Sequence, residues 1–284
     1  MRFLGSAAFA IAGVLLLAGC TDGNGSDVAA ADEGELTLGH AHGLGTDPAD
    51  GTLYVASHLG VFRVDDEGSA SRVADRWQDT MAFTVAGPGR FLASGHPDLR
   101  EDLPPHLGLI ESTDAAETWR IVSLRGRADF HALEIAGDRV YGYDAITGRL
   151  LTTTDRTLWQ QVTRAPLVDL AVNPTAHERV LASSPSGAVR EYEVGSRRGV
   201  RLVGAPPAVL LDWPAGNLLV GVTADGQVLR SSDEGRTWTL TSEVSGTPQA
   251  IDIGEQAWYV ATEEGIYVSA DDGQTWRALL RPGG

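Results

Sequence analysis

The chain has 284 residues, of which 43% are hydrophobic, so it is long enough to bury a sizeable core. Its formal net charge is −16, and such an acidic surface repels phosphate backbones, which excludes nucleic acid as an expected partner. A single cysteine excludes internal disulfides and thiolate metal clusters.

The first part of the chain is predicted to direct export. One positive charge, Arg2, precedes an apolar run that is too short, and too soon followed by polar sequence, to be a spanning helix. The run ends in Leu17-Ala18-Gly19-Cys20, which resembles the bacterial lipobox. That resemblance implies a signal peptide over residues 1–19, cleavage before Cys20 and lipidation of its thiol. The alternative is that Cys20 is an ordinary residue of a leader.

Residues 20–34 are predicted to be the lipidated cysteine and a flexible tether. The segment TDGNGSDVAAADEG that follows Cys20 consists of small, polar and acidic residues, which is typical of linkers. We therefore expect an extracytoplasmic protein that is lipid-anchored to the cell membrane of a bacterium.

From residue 35 to residue 284 the chain is built of repeats. The octets Ser231–Trp238 (SSDEGRTW) and Ser269–Trp276 (SADDGQTW) share the pattern Ser-x-Asp-x-Gly-x-Thr-Trp, and Ser112–Trp119 (STDAAETW) keeps all but the glycine. Weaker traces begin near positions 64, 153 and 192, so the six repeats have a period of about 40 residues.

Each repeat contains short apolar runs with alternation, separated by Gly, Pro, Asp and Asn, and this pattern predicts four strands. No amphipathic helix is predicted between Glu35 and Arg281. The predicted fold is therefore all-β, a single β-propeller of four-stranded antiparallel blades over residues 35–284. Six blades are expected, and seven is the alternative if Leu36–Gly39 (LTLG) belongs to a further blade rather than to the last one.

The octets resemble the Asp-box, or BNR, repeat of sialidases and related propellers. The residues that carry the resemblance are Ser231, Asp233, Gly235, Thr237, Trp238, their counterparts Ser269, Asp271, Gly273, Thr275, Trp276, and Ser112, Asp114 and Trp119. The resemblance implies that each octet is the turn between the third and fourth strands of a blade, away from the active site. An aspartate can accept hydrogen bonds from its own turn, a glycine permits a positive φ, and a tryptophan anchors sheets. We therefore predict that the octets build the fold and do no chemistry.

Chemistry is expected at the opposite end, where the innermost strands begin and where the second and third strands are joined. Aligned repeats place six residues at equivalent innermost positions: His42, Met81, His131, Val168, Ala208 and Gln249. An insertion in the second repeat, SGHPDLREDLPPHLG, adds His106 to this end. The predicted ligand-binding rim consists of His42, His58, His96, Asp98, His131 and Asp144.

Neutral imidazoles beside carboxylates can bind Cu or Zn, or act as general acid and base. The predicted metal ligands at the rim are His42, His58, His96 and His131, whereas His40 and His177 are left outside it. The alternative is that these histidines are separate hydrogen-bonded residues of strands and loops.

The sequence departs from the sialidase pattern in its chemistry. The resemblance implies an arginine triad, a tyrosine nucleophile paired with a glutamate, and an aspartate acid/base. The Phe-Arg-Ile-Pro segment typical of sialidases has no counterpart, and Arg63, Arg100 and Arg149 are scattered along the chain. No triad is therefore predicted.

Three functional hypotheses remain. The leading one is a lipid-anchored extracytoplasmic propeller of the sialidase superfamily that binds a small ligand, a glycan or a protein at its His-rich rim. The second is a glycoside hydrolase like an exo-sialidase, with carboxylates drawn from Asp98, Asp144, Glu134 and Glu263. The third is an assembly or scaffold role.

The motifs HxHG, ASH, SGHP and FHAL also resemble those of bacterial lipoproteins labelled glycosyl hydrolases or exo-alpha-sialidases. That label is an analogy of fold, so enzymatic activity stays an open question at this point.

Overall fold

The computed structural model describes residues 38–281, which form an all-β structure. Four consecutive strands make each sheet, their order in the sheet follows the chain, and every pair is antiparallel. Within this range no helix has the length and hydropathy needed to cross a bilayer. The predicted signal peptide, Cys20 and the tether lie outside the described residues.

The six sheets are numbered as blades in chain order. Blades one and two consist of β1 (Ala41–Thr46), β2 (Leu53–Ser57), β3 (Gly60–Val64), β4 (Ala70–Arg72), and of β5 (Asp79–Gly87), β6 (Arg90–His96), β7 (Leu109–Ser112), β8 (Arg120–Ser123). Blades three and four consist of β9 (Phe130–Ala136), β10 (Arg139–Asp144), β11 (Arg149–Thr153), β12 (Gln160–Arg164), and of β13 (Leu170–Val172), β14 (Arg179–Ser183), β15 (Val189–Glu193), β16 (Ser196–Arg201). Blades five and six consist of β17 (Leu210–Ala215), β18 (Leu218–Val222), β19 (Gln227–Ser231), β20 (Thr239–Glu243), and of β21 (Pro248–Ile253), β22 (Trp258–Thr262), β23 (Gly265–Ser269), β24 (Arg277–Leu280).

The first strands of the blades form the inner wall of a closed ring. Each contacts the first strand of the next blade, and β21 of the last blade contacts β1. Together they line a central cavity of about 590 Å³. The chain is therefore a six-bladed β-propeller, which confirms the predicted fold and blade number.

Leu38 and Gly39, the described part of the segment that left the blade number open, lie at the ring closure. Leu38 and Gly39 lie outside any strand, and Leu36 and Thr37 precede the described residues. Leu38 packs on an apolar cluster that joins blade six to blade one. Among the described residues, packing rather than a shared strand closes the ring.

The hydrophobic core is divided into six clusters, one at each interface between neighbouring blades. Between blades one and two, for example, Tyr54 and Ala56 pack against Phe83 and Phe91. Each blade is packed between two neighbouring blades, so its strands bury side chains on both faces. This explains the continuous apolar runs of the second strands.

The octets lie where the sequence pattern predicts, directly after the third strands. β7, β19 and β23 end at the first serine of an octet, and β11 ends at Thr153 of a weaker copy. In the fifth blade Ser231 donates to Asp233 (2.8 Å) and accepts from the amide of Gly235 (2.8 Å). Asp233 in turn accepts from the amide and the hydroxyl of Thr237, at 2.8 and 2.7 Å.

The same contacts recur in the other two octets. Ser269 and Ser112 each donate to the aspartate two residues on, and the threonine of each octet donates twice to that aspartate. Gly235 and Gly273 have φ of +83° and +74°, and the first octet sets Ala116 at +71° in the same position. Each octet is thus a self-contained hydrogen-bonded turn.

Four tryptophans fasten these turns to the preceding blade. Each packs against the apolar cluster between its own blade and the one before: Trp119, Trp159, Trp238 and Trp276. Because the strands are antiparallel, the octets and the loops between second and third strands lie at opposite ends of every blade. The end that carries these loops and the starts of the first strands is named the mouth below.

Candidate metal centre at the mouth

Four blades carry a β-bulge near the start of the first strand. In each, one residue lacks a partner in the ladder to the second strand: His42, Met81, His131 and Gln249. A bulge bends the strand and re-aims the side chain of its extra residue. These four are among the six residues that the repeat alignment places at equivalent positions, so the bulge explains how both equivalent histidines reach the cavity lining.

One group of side chains, the first cluster, gathers around the bulge of blade one and consists of His40, His42, His58 and Asp79. Asp79, at the start of β5, lies 2.9 Å from Nδ1 of His58, and Nε2 of His58 lies 3.3 Å from Nε2 of His42. The ring of His40 contacts that of His42 with centroids 4.7 Å apart and planes inclined at 58°. Ligand atoms of His42, His58 and Asp79 all lie within 4.8 Å of one another, which is suitable for one metal ion.

Two imidazoles of the first cluster, those of His40 and His42, are kept neutral. Burial, followed by the charges of His58 and the other nearby histidines, lowers the pKa of His42 from 6.5 to about 3. Burial and His58 also lower the pKa of His40. Neutral imidazole is the form that binds a metal ion, so this group is ready to do so at neutral pH.

The other group, the second cluster, surrounds Asp129 at the start of β9 and consists of Asp129, His96, His106 and His131. Oδ2 of Asp129 accepts a hydrogen bond from Nε2 of His131 (3.1 Å) and lies 3.8 Å from Nε2 of His96 and 3.7 Å from Nδ1 of His106. The ligand atoms of His96, His106 and Asp129 also lie within 4.8 Å of one another. Both clusters are therefore sets of two histidines and one aspartate, each with a further histidine beside it.

The second cluster contains polar atoms that have no hydrogen-bond partner. Asp129 is only 6% exposed. In the described part of the chain three buried side-chain polar atoms are unpaired, and two of them are Oδ1 of Asp129 and Nδ1 of His106. Burial raises the pKa of Asp129, but the hydrogen bond from His131 and the charges of the neighbouring imidazoles outweigh it, so the net pKa is lowered. The carboxylate is therefore charged, buried and incompletely paired.

The two clusters are copies of one arrangement, one blade apart. Each aspartate lies two residues before the bulged residue of its blade, as Asp79 before Met81 and Asp129 before His131. Each is met by a histidine from the end of the preceding blade's second strand, His58 or His96. The clusters therefore occupy successive inter-blade positions, between blades one and two and between blades two and three.

The structure separates the predicted rim residues into three settings. His42 and His58 lie in the first cluster, and His96 and His131 lie in the second, so the four predicted metal ligands form two groups rather than one. Asp98 lies in neither, because its carboxylate is held by Arg100 and the amide of Trp77. That contact with Arg100 lowers the pKa of Asp98.

Asp144 supports the second cluster from below. It is buried, accepts a hydrogen bond from the main-chain nitrogen of Asp129 (3.2 Å) and accepts another from Thr147. Its carboxylate thus positions Asp129 and does not face a ligand. The ligand-binding role of Asp98 and Asp144 stays a prediction, and in this structure both carboxylates are occupied by protein groups.

Asp79, Asp129 and His40 are not among the rim residues predicted from the sequence. A signal for all three was present, because each lies two residues before a bulged position, in His40-Ala-His42, Asp79-Thr-Met81 and Asp129-Phe-His131. The spacing of two places both side chains on the same face of a strand, and the bulge turns the second toward the mouth. His177 alone among the described histidines stays apart, bound to the carbonyl of Pro174.

Four carboxylates line the central cavity below the mouth: Glu134, Asp169, Asp212 and Asp252. Asp169 and Asp212 accept hydrogen bonds from the amides of Leu211 and Ile253 in the next blade, and Asp252 accepts from Thr46 in blade one. Burial raises the pKa of all four, that of Asp169 to about 7. These contacts tie neighbouring blades together, so three of the four have a structural role.

Among the described residues, no arginine lines the central cavity. Arg63 pairs with Glu117, and Arg100 pairs with Asp98. The three arginines that do meet, Arg90, Arg120 and Arg156, surround the buried carboxylate of Glu111.

No protein-family model and no curated protein sequence matches the chain. Solved structures of other proteins do match the chain. YCF48 bound to D1 peptide matches at 14% identity with a TM-score of 0.54, covering 86% of this chain and 83% of that chain. A gluconolactonase from Xanthomonas campestris matches at 14% identity and a TM-score of 0.62, covering 80% and 85%. The GH74 xyloglucanase of the same organism matches at 15% identity and 0.55, covering 85% of this chain and 45% of that one. Their functions differ, so the likeness is one of β-propeller fold.

Proposed function

We propose that the protein is a lipid-anchored, extracytoplasmic propeller of the Asp-box, sialidase-like kind that binds a divalent transition-metal ion at its mouth. The observation that carries the proposal is that six of its seven histidines gather in two clusters at one end of the ring, each around an aspartate. Imidazole and carboxylate together are donors that suit Zn²⁺ and Cu²⁺.

The Asp-box part of the proposal is supported by the octets. Their serine, aspartate, glycine and threonine make the same hydrogen bonds in blades two, five and six, apart from the alanine that replaces glycine in blade two. The export part is supported by the sequence Leu17-Ala18-Gly19-Cys20 and by the acidic tether that follows it.

The carboxylates and arginines favour binding over glycoside hydrolysis. A glycosidase needs two carboxyl groups that flank one scissile bond. The four carboxylates considered for that role lie in separate settings: Asp98 is paired with Arg100, Asp144 supports Asp129, Glu134 faces the central cavity, and Glu263 is exposed on the mouth side of blade six. The proposal therefore places metal binding, not sugar cleavage, at the mouth.

Metal titration tests the proposal. The full-length protein in detergent is titrated by calorimetry with Zn²⁺ and Cu²⁺, beside a His42→Ala/His106→Ala variant that removes one imidazole from each cluster. We expect tight binding by the unaltered protein and its loss in the double variant. His177→Ala is the matched control, because it removes the histidine outside the clusters. An unaltered protein that binds neither ion contradicts the proposal.

Membrane fractionation tests the anchor. We expect the unaltered protein in the membrane fraction of the expressing bacterium and a Cys20→Ser variant, which lacks the thiol that carries lipid, in the soluble extracytoplasmic fraction. Equal distribution of the two proteins contradicts lipid anchoring, whereas it leaves metal binding to be judged by calorimetry alone.

A further inference from the structure

We infer that His96, His106 and Asp129 are the principal metal centre of this protein, an open three-ligand site for Zn²⁺ or Cu²⁺. The inference rests on the proposed function and deepens it, because it names one of two clusters, its ligands and its coordination. Three features of the second cluster carry it: a fixed tautomer, unpaired buried atoms and a rigid support.

The tautomer of His96 is fixed by the main chain. Nδ1 of His96 lies 2.7 Å from the carbonyl oxygen of Pro105, and a carbonyl only accepts, so Nδ1 carries the hydrogen. When the ring is neutral, Nε2 therefore carries a lone pair, and this nitrogen lies 3.8 Å from Oδ2 of Asp129. Two acceptors that face each other repel unless a cation lies between them. A metal-bound histidine commonly donates its other ring N–H to a main-chain carbonyl, as Nδ1 of His96 does to Pro105.

The unpaired atoms point to the same place. Nδ1 of His106 lies 3.7 Å from Oδ2 of Asp129, which is too far for a hydrogen bond, and Oδ1 of Asp129 accepts none. Buried polar atoms in native proteins have partners, and the exceptions call for an explanation such as an ion. A cation bound by His96, His106 and Asp129 gives the unpaired His106 nitrogen a partner and links it to the buried carboxylate.

The support of the second cluster is rigid. Asp144 holds the main chain of Asp129, and the amide of the next residue, Phe130, donates to Ser94 (3.1 Å). His131 fixes one carboxylate oxygen through its own hydrogen bond. The insertion between β6 and β7 brings in His106, whose carbonyl accepts from the amide of Gly126 (2.8 Å). The ligands are therefore held in place before any ion arrives.

The first cluster differs because its groups already satisfy one another. Nδ1 of His58 lies 2.9 Å from Asp79, and Nε2 of His42 lies 3.2 Å from Nδ1 and 3.3 Å from Nε2 of His58, so each of these groups has a polar partner. Within the described residues, no buried atom of the first cluster is unpaired. A cation must break these bonds to bind there, so we expect the second cluster to bind more tightly.

Three protein ligands leave a coordination position free. Structural zinc sites have four protein ligands, whereas sites with two histidines, one carboxylate and a water are of the kind that keeps a place for an exogenous molecule. The second cluster is therefore assigned an open site, in which a water or a small anion completes the coordination. His131, which lines the central cavity, joins this site to the cavity.

Paired variants of the two clusters test the assignment. The full-length protein in detergent is titrated with Zn²⁺ in competition with a chelator of known affinity. We expect Asp129→Asn and His106→Ala each to lower the affinity by about 100-fold or more, since each removes a ligand. Asp79→Asn and His58→Ala, which alter the first cluster, should lower the affinity less than Asp129→Asn or His106→Ala does. The matched control His177→Ala lies outside both clusters and should change it by less than about threefold, within the ordinary scatter of such energies. The near-isosteric Asp129→Asn, checked by circular dichroism, guards against a folding defect.

The outcomes separate the inference from the proposal on which it rests. If Asp79→Asn and His58→Ala abolish binding while Asp129→Asn and His106→Ala leave it intact, metal binding stands and the assignment of the centre is wrong. If the unaltered protein binds neither Zn²⁺ nor Cu²⁺, the assignment of the centre and the proposed metal binding are both wrong.

Spectroscopy of the Cu²⁺-loaded protein tests the coordination. We expect electron paramagnetic resonance to show two imidazole nitrogens, reduced to one by His106→Ala. Azide should then add a charge-transfer band, because it enters the free position. A spectrum that azide leaves unchanged contradicts the open site.

Discussion

The two ends of this propeller use aspartate in opposite ways. In the octet of blade five, both carboxylate oxygens of Asp233 receive hydrogen bonds, from Ser231 and from the amide and hydroxyl of Thr237. At the mouth, Asp129 is buried, and one of its oxygens receives none. A carboxylate whose hydrogen bonds are complete belongs to the architecture, whereas a buried one left incomplete indicates a place for a ligand.

The octets and the inner wall of the central cavity also differ in the pKa values of their aspartates. Hydrogen bonds from Thr237 lower the pKa of Asp233 to about 2, and those from Thr275 do the same for Asp271. In the central cavity burial dominates instead, and the pKa of Asp169 rises to about 7. The octets are thus fixed as anions over most of the pH range, while the carboxylates of the inner wall change charge within it.

The largest expected effect tests the architectural end. Trp238→Ala should lower the free energy of unfolding by about 2 to 4 kcal/mol, because it empties the contact between blades four and five. Urea denaturation measures it. Trp77→Ala is the control, since Trp77 is 46% exposed, and should cost less than about 1 kcal/mol. Trp238→Ala should leave Zn²⁺ affinity unchanged. A folded variant that no longer binds Zn²⁺ would contradict the separation of a structural end from a metal-binding end.

The next effect tests the mouth through stability. Zn²⁺ at about 100 times its dissociation constant should stabilise the protein by about 2.7 kcal/mol, because it binds the folded state. Thermal or urea melts with Zn²⁺ and with a chelator measure the difference. Asp129→Asn should remove it. Stabilisation that persists in this variant places the ion elsewhere.

A smaller effect sharpens the account of the octets. Ser231→Ala leaves the buried amide of Gly235 without its acceptor and should cost about 2 kcal/mol. Its neighbour Ser232 is exposed, so Ser232→Ala is the matched control and should be neutral. Equal stabilities of the two variants in urea would show that the hydroxyl of Ser231 does not hold the turn.

The smallest effect concerns pH and the inner wall. Because the folded state raises the pKa of Asp169 from 3.8 to about 7, it holds a proton that the unfolded chain releases. The associated stability is present below pH 3.8 and is lost as the pH rises toward 7. Asp169→Asn should flatten this fall by about 1 kcal/mol, less than the full pKa difference implies, because water reaches the cavity. Identical pH profiles of unfolding for the two proteins would contradict the raised pKa.

Much of the architectural end was predictable from the sequence. The octets mark the ends of third strands because their turn is made by contiguous residues, so Ser112, Ser231 and Ser269 disclose it locally. The period of the octets then gives the number of blades. The equivalent positions of His42 and His131 were also predictable, since both lie at the same bulge of the repeat.

The partners of these histidines were not predictable in the same way. Asp79 and Asp129 meet histidines of the preceding blade, and such a contact depends on how neighbouring blades are set against each other. Asp98 and Asp144 share the mouth with them, yet each is bound to nearby protein groups. Only the hydrogen-bond partners distinguish a carboxylate that builds a loop from one that awaits a ligand.

Anomalous diffraction from a crystal grown with Zn²⁺ tests the central claim most directly. The account predicts a peak at the zinc edge about 2.0 to 2.2 Å from Nε2 of His96, Nδ1 of His106 and a carboxylate oxygen of Asp129. A peak among His42, His58 and Asp79 with none at Asp129, or no peak in either cluster, would contradict it.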